Sequence, residues 1–68
     1  MTSKELVDLR VGLGIDQSEF ARLLGYWTEF YTALEAGDLP ITPAIAERVH
    51  AVAALVPEGW GQRPHEDL

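Results

Sequence analysis

The stretch DQSEFARLLGYWTEFYTALEAG, residues 16–37, decides the fold. It holds two short segments of helical period, and each is closed by a glycine. Asp16 is a good N-cap, because its carboxylate accepts from a free backbone N–H, and Glu19 in the first turn favours the positive end of the helix dipole. Phe20, Ala21 and Leu24 form one face of a helix over residues 17–24, and Gly25 supplies the left-handed conformation that ends it. The second segment, residues 28–36, turns Tyr31 and Leu34 inward and is released by Gly37.

The flanks repeat this grammar. In TSKELVDLRVGLG, Thr2 and Glu5 make a capping-box signal, Leu6, Leu9 and Leu13 follow at helical spacing with Val7 and Val11 beside them, and Gly14 ends the run. This predicts a helix over residues 3–13. Thr42-Pro43 is a cap followed by proline at the first helical position, so a fourth helix is expected over residues 43–56. Ile45, Val49, Val52 and Val56 line its apolar face, Ala46 and Ala53 permit close approach, His50 lies near the core face and Pro57 stops it. The tail from residue 57 has no periodicity. The division expected is a helical domain over residues 1–56 and a C-terminal tail over 57–68.

With 68 residues the chain makes one small domain, and a domain of this size buries only about 60% of its unfolded surface. It has no cysteine, which excludes disulfides and thiolate metal sites, and its two distant histidines, His50 and His65, make no convincing metal site. No metal or other cofactor is expected. No apolar run reaches the roughly 18 residues of a membrane span, and the N-terminus lacks a signal-peptide layout, so no membrane partner and a cytoplasmic location are expected. No nucleophile stands at a plausible spacing from a base, and there is little room for a pocket, so an enzyme is not expected. The net charge of −6 works against non-specific attraction to a polyanion.

Gln17, Ala21, Gly25, Tyr31, Glu35 and Gly37 fall in register with the pattern Q-x-x-x-A-x-x-x-G-x-x-x-x-x-apolar-x-x-x-E-x-G, preceded by Leu9-Arg10. In this the chain closely resembles the helix-turn-helix of Cro/C1-type (XRE-like) repressors, from about Leu6 to Leu55. The resemblance implies an all-α, lambda-repressor-like domain of four to five helices, with any fifth helix around PEGWG. It implies a sequence-specific transcriptional regulator of phage or mobile-element type, cytoplasmic, that binds double-stranded DNA at a palindromic operator as a homodimer.

Carried over by position, Ala21 would sit where the second and third helices cross, and Tyr31 would replace the usual aliphatic plug. Arg10 and Glu35 would form a largely buried salt bridge. Gln17 would contact a phosphate, while Trp27, Thr28, Glu29 and Thr32, with Ala33 beside them, would face the major groove. Arg22, Lys4 and Arg48 would help to position phosphates. Leu55, Val56 and Trp60 would form the dimer interface; the alternative for Trp60 is docking on the chain's own first helix.

The chemistry of that surface departs from the family pattern. Between Asp16 and Thr42 there are five acids (Asp16, Glu19, Glu29, Glu35, Asp38) against one base, Arg22. Glu29 has two readings, acceptance from cytosine N4 or service to the helix dipole. Trp27 stands where the family places a Ser or Thr cap, and tryptophan cannot cap. Either Thr28 caps and the helix starts one residue late, or the turn is looser than usual. Trp27 either joins Leu23 and Phe30 in an exposed apolar patch or folds back onto Leu23. An exposed patch would suit a protein partner, which gives a second expectation: a helix-turn-helix domain repurposed for protein contact through an acidic surface and the Leu23/Trp27/Phe30 patch. An antitoxin-like protein would combine the two roles.

Overall fold

The computed structural model describes residues 1–56; Trp60 and any helix around PEGWG lie outside them. Four helices follow one another: α1 (Ser3–Leu13), α2 (Gln17–Leu24), α3 (Thr28–Ala36) and α4 (Pro43–Ala53). No strand occurs among the described residues, so the domain is all-α.

Local chemistry sets the boundaries. The Thr2 hydroxyl accepts from the Glu5 N–H at 3.1 Å while the Glu5 carboxylate accepts from the Thr2 N–H at 2.7 Å, completing the capping box of α1. Asp16 accepts from the Glu19 N–H at 2.8 Å, and Thr42 from the Ile45 N–H at 3.2 Å. Gly14, Gly25 and Gly37 end α1, α2 and α3 with φ of 76°, 83° and 83°. The fourth helix departs from expectation. It stops at Ala53 and Ala54 caps it in a right-handed conformation, so residues 54–56 form a turn rather than the last turn of α4. No glycine terminates α4, and its end is the one boundary that the sequence misplaced by three residues.

The core consists of Leu6, Leu13, Ile15, Phe20, Ala21, Leu24, Tyr31, Leu34 and Val49. Helix α3 packs on α1 and α2, and α4 packs on α2. Ala21 is fully buried, in keeping with the need for a small residue where α2 meets α3. Tyr31 is also fully buried and meets the Phe20 ring edge-on, with centroids 5.7 Å apart, a favoured aromatic geometry. Two expectations, for Val11 and His50, need correction, and one core residue is an addition to them. Ile15, between α1 and α2, belongs to the core. Val11 is 58% exposed, because at 3.6 residues per turn it lies roughly 150° around α1 from the Leu6/Leu13 stripe. His50 is exposed rather than packed, beside a shallow cavity lined by Met1, Glu5, Leu9 and Ala46.

Candidate nucleic-acid interface

Glu35, in the last turn of α3, organises the interior of this face. Its side chain is 5% exposed and that of Arg10 is 15% exposed; Arg10 Nε donates to Glu35 Oε2 at 2.6 Å and Nη2 to Oε1 at 3.3 Å. The remaining Arg10 nitrogen, Nη1, donates to the Ile15 carbonyl at 2.9 Å, which ties the loop before α2 to the same pair. The expected salt bridge between α1 and α3 is therefore present. Two further donors complete it: Gln17 Nε2 reaches Glu35 Oε1 at 2.8 Å, and the Tyr31 hydroxyl donates to Glu35 Oε2. No buried side-chain polar atom among the described residues lacks a partner. A buried charge is tolerated only under that condition.

The titration of this cluster follows from its geometry. Burial pushes the Glu35 carboxyl upward, but hydrogen bonds from Arg10, Tyr31 and Gln17 outweigh it and hold the group below its ordinary value of 4.5. The Glu35 hydrogen bonds raise Arg10 further above its ordinary value, against the effect of burial. Tyr31 is raised far above 10.0 by burial first, then by its hydrogen bond to the Glu35 carboxylate and that group's negative charge. The charged state of the pair is thus Arg10⁺–Glu35⁻ with Tyr31 neutral.

This network gives Gln17 a structural role beside the expected phosphate contact. Its amide is half-buried and committed to Glu35, so only its second N–H remains for any phosphate. Arg48, although exposed, also has contacts within the domain. Its Nη1 donates to the Leu24 carbonyl at 3.1 Å, and its guanidinium lies over the Tyr26 ring, 5.8 Å from the centroid. Lys4 pairs with Asp8 at 2.7 Å across one turn of α1. Arg22 has only a distant pairing with Glu19 at 3.9 Å, and its side chain is 77% exposed, so it is the described cation with the least internal engagement.

The turn between α2 and α3 is tight. Gly25 N–H donates to the Arg22 carbonyl at 3.1 Å and Tyr26 N–H to the Ala21 carbonyl at 2.9 Å. Trp27 occupies the N-cap position of α3 with its backbone alone: its carbonyl accepts from Tyr31 N–H at 3.0 Å, and no side chain caps the helix. Neither expected alternative holds, since Thr28 is already the first helical residue and the turn is not loose. Trp27 is 82% exposed and does not fold back onto Leu23. Thr28 and Glu29 are exposed beside it. Thr32 is half-buried, and its hydroxyl donates to the Glu29 carbonyl at 3.1 Å.

The proposed apolar patch is also narrower than expected. Leu23 is 38% exposed, but Phe30 is half-buried and stacks edge-on against Tyr26 with centroids 5.1 Å apart. Of the residues expected at a dimer interface, Leu55 is 83% exposed, Val56 is half-buried against the core, and Trp60 lies outside the described residues.

The sequence could have pointed to the Tyr31–Glu35 bond, because residues four apart share a helix face. It could not have pointed to Arg48 and Tyr26, which are joined only by tertiary packing. No helix among the described residues is long and apolar enough to cross a membrane. No family model, curated protein or solved structure matches the chain.

Proposed function

We propose that this domain is a DNA-binding transcriptional regulator of the Cro/C1 type, which inserts the first turn of α3 into the major groove and binds a palindromic site as a homodimer. One observation carries the reading. Helix α3 is held by buried Tyr31 and Leu34 and by the Glu35 network, while its opening residues Trp27, Thr28 and Glu29 face solvent with no role in the core. A helix anchored at its rear and presented at its N-terminal end is what groove reading by this architecture uses. Thr28 and Glu29 are the candidates for base contact, Glu29 as an acceptor from cytosine N4. Arg22 and Lys4 remain to meet phosphates, and Leu55, 83% exposed, is the candidate for a two-fold contact.

Selection from a random duplex-DNA pool at low salt tests this directly. Enrichment of a palindrome supports the reading; absence of any enrichment at low salt sinks it.

A second reading has its own support. Arg10 is taken up by its buried pairing with Glu35, Arg48 is engaged by Leu24 and Tyr26 although exposed, and the most exposed aromatic among the described residues, Trp27, stands on the face that DNA would need. Exposed tryptophan among acids suits a protein partner with a complementary basic surface. Failure of the DNA selection together with capture of a protein partner that is lost on Trp27→Ala would favour it.

A further inference from the structure

We propose that Arg48 is a positioning residue for the opening turn of α3, replacing the side-chain cap that Trp27 cannot provide. The inference deepens the function proposed above, since it concerns how Thr28 and Glu29 are presented, but its geometry is independent of what they bind.

The first turn of any α-helix leaves backbone N–H groups without partners, and a Ser, Thr, Asp or Asn cap fixes that turn by accepting one of them. The helices α1, α2 and α4 each have such a cap, from Thr2, Asp16 and Thr42. Helix α3 has none. It begins at the surface where a partner would be met, so fraying would blur the very residues on offer.

A different device stands there. The Tyr26 ring, just before the cap position, packs edge-on against Phe30 in the first turn, spanning the uncapped start. This resembles a hydrophobic staple, in which residues flanking the cap fix the direction of the chain. The guanidinium of Arg48 lies over the same Tyr26 ring, 5.8 Å from its centroid. The same guanidinium donates to the Leu24 carbonyl, one of the orphan acceptors at the end of α2.

One side chain from α4 thereby ties the end of α2, the turn and the start of α3 together. A planar guanidinium suits this double task, stacking on a ring while donating in its plane; an ammonium cannot do both from one position. Arg48 acts on the presented residues through Tyr26 and Phe30 and not by touching a partner.

The primary test reads the free protein. Amide hydrogen exchange compares Tyr26 and Tyr31, whose N–H groups bond to Ala21 and Trp27, with Leu6 in α1, whose N–H bonds to Thr2. Arg48→Met keeps an apolar stem and is expected to speed exchange at Tyr26 and Tyr31 about fivefold relative to Leu6, the scale of losing one cap. Should that variant fail to fold, Arg48→Lys is read in its place, with at least roughly twofold acceleration expected because only one of the two contacts survives. Unchanged relative exchange in whichever variant folds overturns the proposal.

Salt titration on an enriched DNA site separates positioning from direct contact. A positioning role predicts weaker binding with an unaltered salt slope, whereas loss of a phosphate contact would reduce that slope by about 0.9 per chain and overturn the proposal. If wild-type protein enriches no site, the DNA reading fails and the exchange measurement alone decides the role of Arg48.

Discussion

At the scale of single residues, Glu35 has the largest consequences per atom. It accepts from Arg10, Gln17 and Tyr31 and so joins α1, the start of α2 and α3 at one carboxylate. Arg10→Met would leave that carboxylate buried without its counter-charge and is expected to cost about 3–5 kcal/mol in denaturant unfolding. A thermal or denaturant midpoint equal to wild type would refute the structural role of the bridge. Tyr31→Phe removes one donor but leaves Arg10 and Gln17, so a smaller loss of about 1–2 kcal/mol is expected. The cluster also sets the pH window. Glu35 binds protons less readily folded than unfolded, so its contribution is present above about 4.5 and is lost as acid protonates the folded carboxylate. Tyr31 is the mirror case: the unfolded phenol ionises near 10.0 while the folded one resists, so stability falls as pH rises beyond that value. A melting curve measured across pH should decline on both sides, and Glu35→Gln should weaken the acid limb. An acid limb unchanged in that variant would assign it to other carboxylates.

At the scale of elements, caps and glycines made most of the fold legible, because each acts on its own neighbours and leaves a mark in three or four residues. Thr2, Asp16, Thr42, Gly14, Gly25 and Gly37 all behave as their chemistry demands. The end of α4 is harder to read, because Pro57 only bars helix beyond it and no glycine marks where the helix stops, at Ala53. The candidate site was less legible for the opposite reason: Gln17 and Arg48 look like free polar groups in the sequence, and only packing brings Glu35 and Tyr26 to them. Trp27 is where local rules and the fold disagree. Trp27→Ser would supply the missing cap and remove an exposed ring, so it is expected to stabilise the domain by about 1 kcal/mol, raising the melting temperature by roughly 4–8 °C. The same variant should weaken binding of the principal partner. A stabilised protein with reduced binding would mark Trp27 as retained for contact at a cost in stability; a variant with unchanged binding would remove Trp27 from the interface. Gly25→Ala gives a control at the other side of the turn. A Cβ there meets nothing nearer than Arg48 Nη1 at 3.8 Å, so its cost is the left-handed backbone alone, about 1–2 kcal/mol.

For the whole molecule, the question is whether so acidic a domain can hold a polyanion. The chain carries five Lys and Arg, and the structure commits Arg10 to Glu35 and Arg48 to Leu24 and Tyr26. Lys4, Arg22 and, in the tail, Arg63 are the others. Each cation that displaces a counterion contributes about 0.9 to the slope of log affinity against log salt, so a chain using all three reaches a slope no steeper than roughly −3, and a dimer twice that. On the proposed reading, phosphate contacts supply a limited share of the affinity, and base contacts at Thr28 and Glu29 would carry more of it than is usual. It follows that discrimination between a selected site and random DNA should survive moderate salt better than is usual for groove-reading proteins, since the non-specific competitor loses what little electrostatic support it had. Arg22→Ala should lower the slope by about 0.9 per chain while leaving the enriched sequence unaltered, because Arg22 can position the domain but lies outside the opening turn of α3. Glu29→Gln should do the reverse, keeping the slope close to wild type and relaxing preference at the base pair it faces by about 1–3 kcal/mol. Fluorescence titrations of both variants on the selected duplex and one mismatched at that position, at two salt concentrations, separate these effects. If Glu29→Gln left the preference intact while Arg22→Ala abolished binding altogether, the division between reading and positioning assigned to α3 and α2 would be wrong.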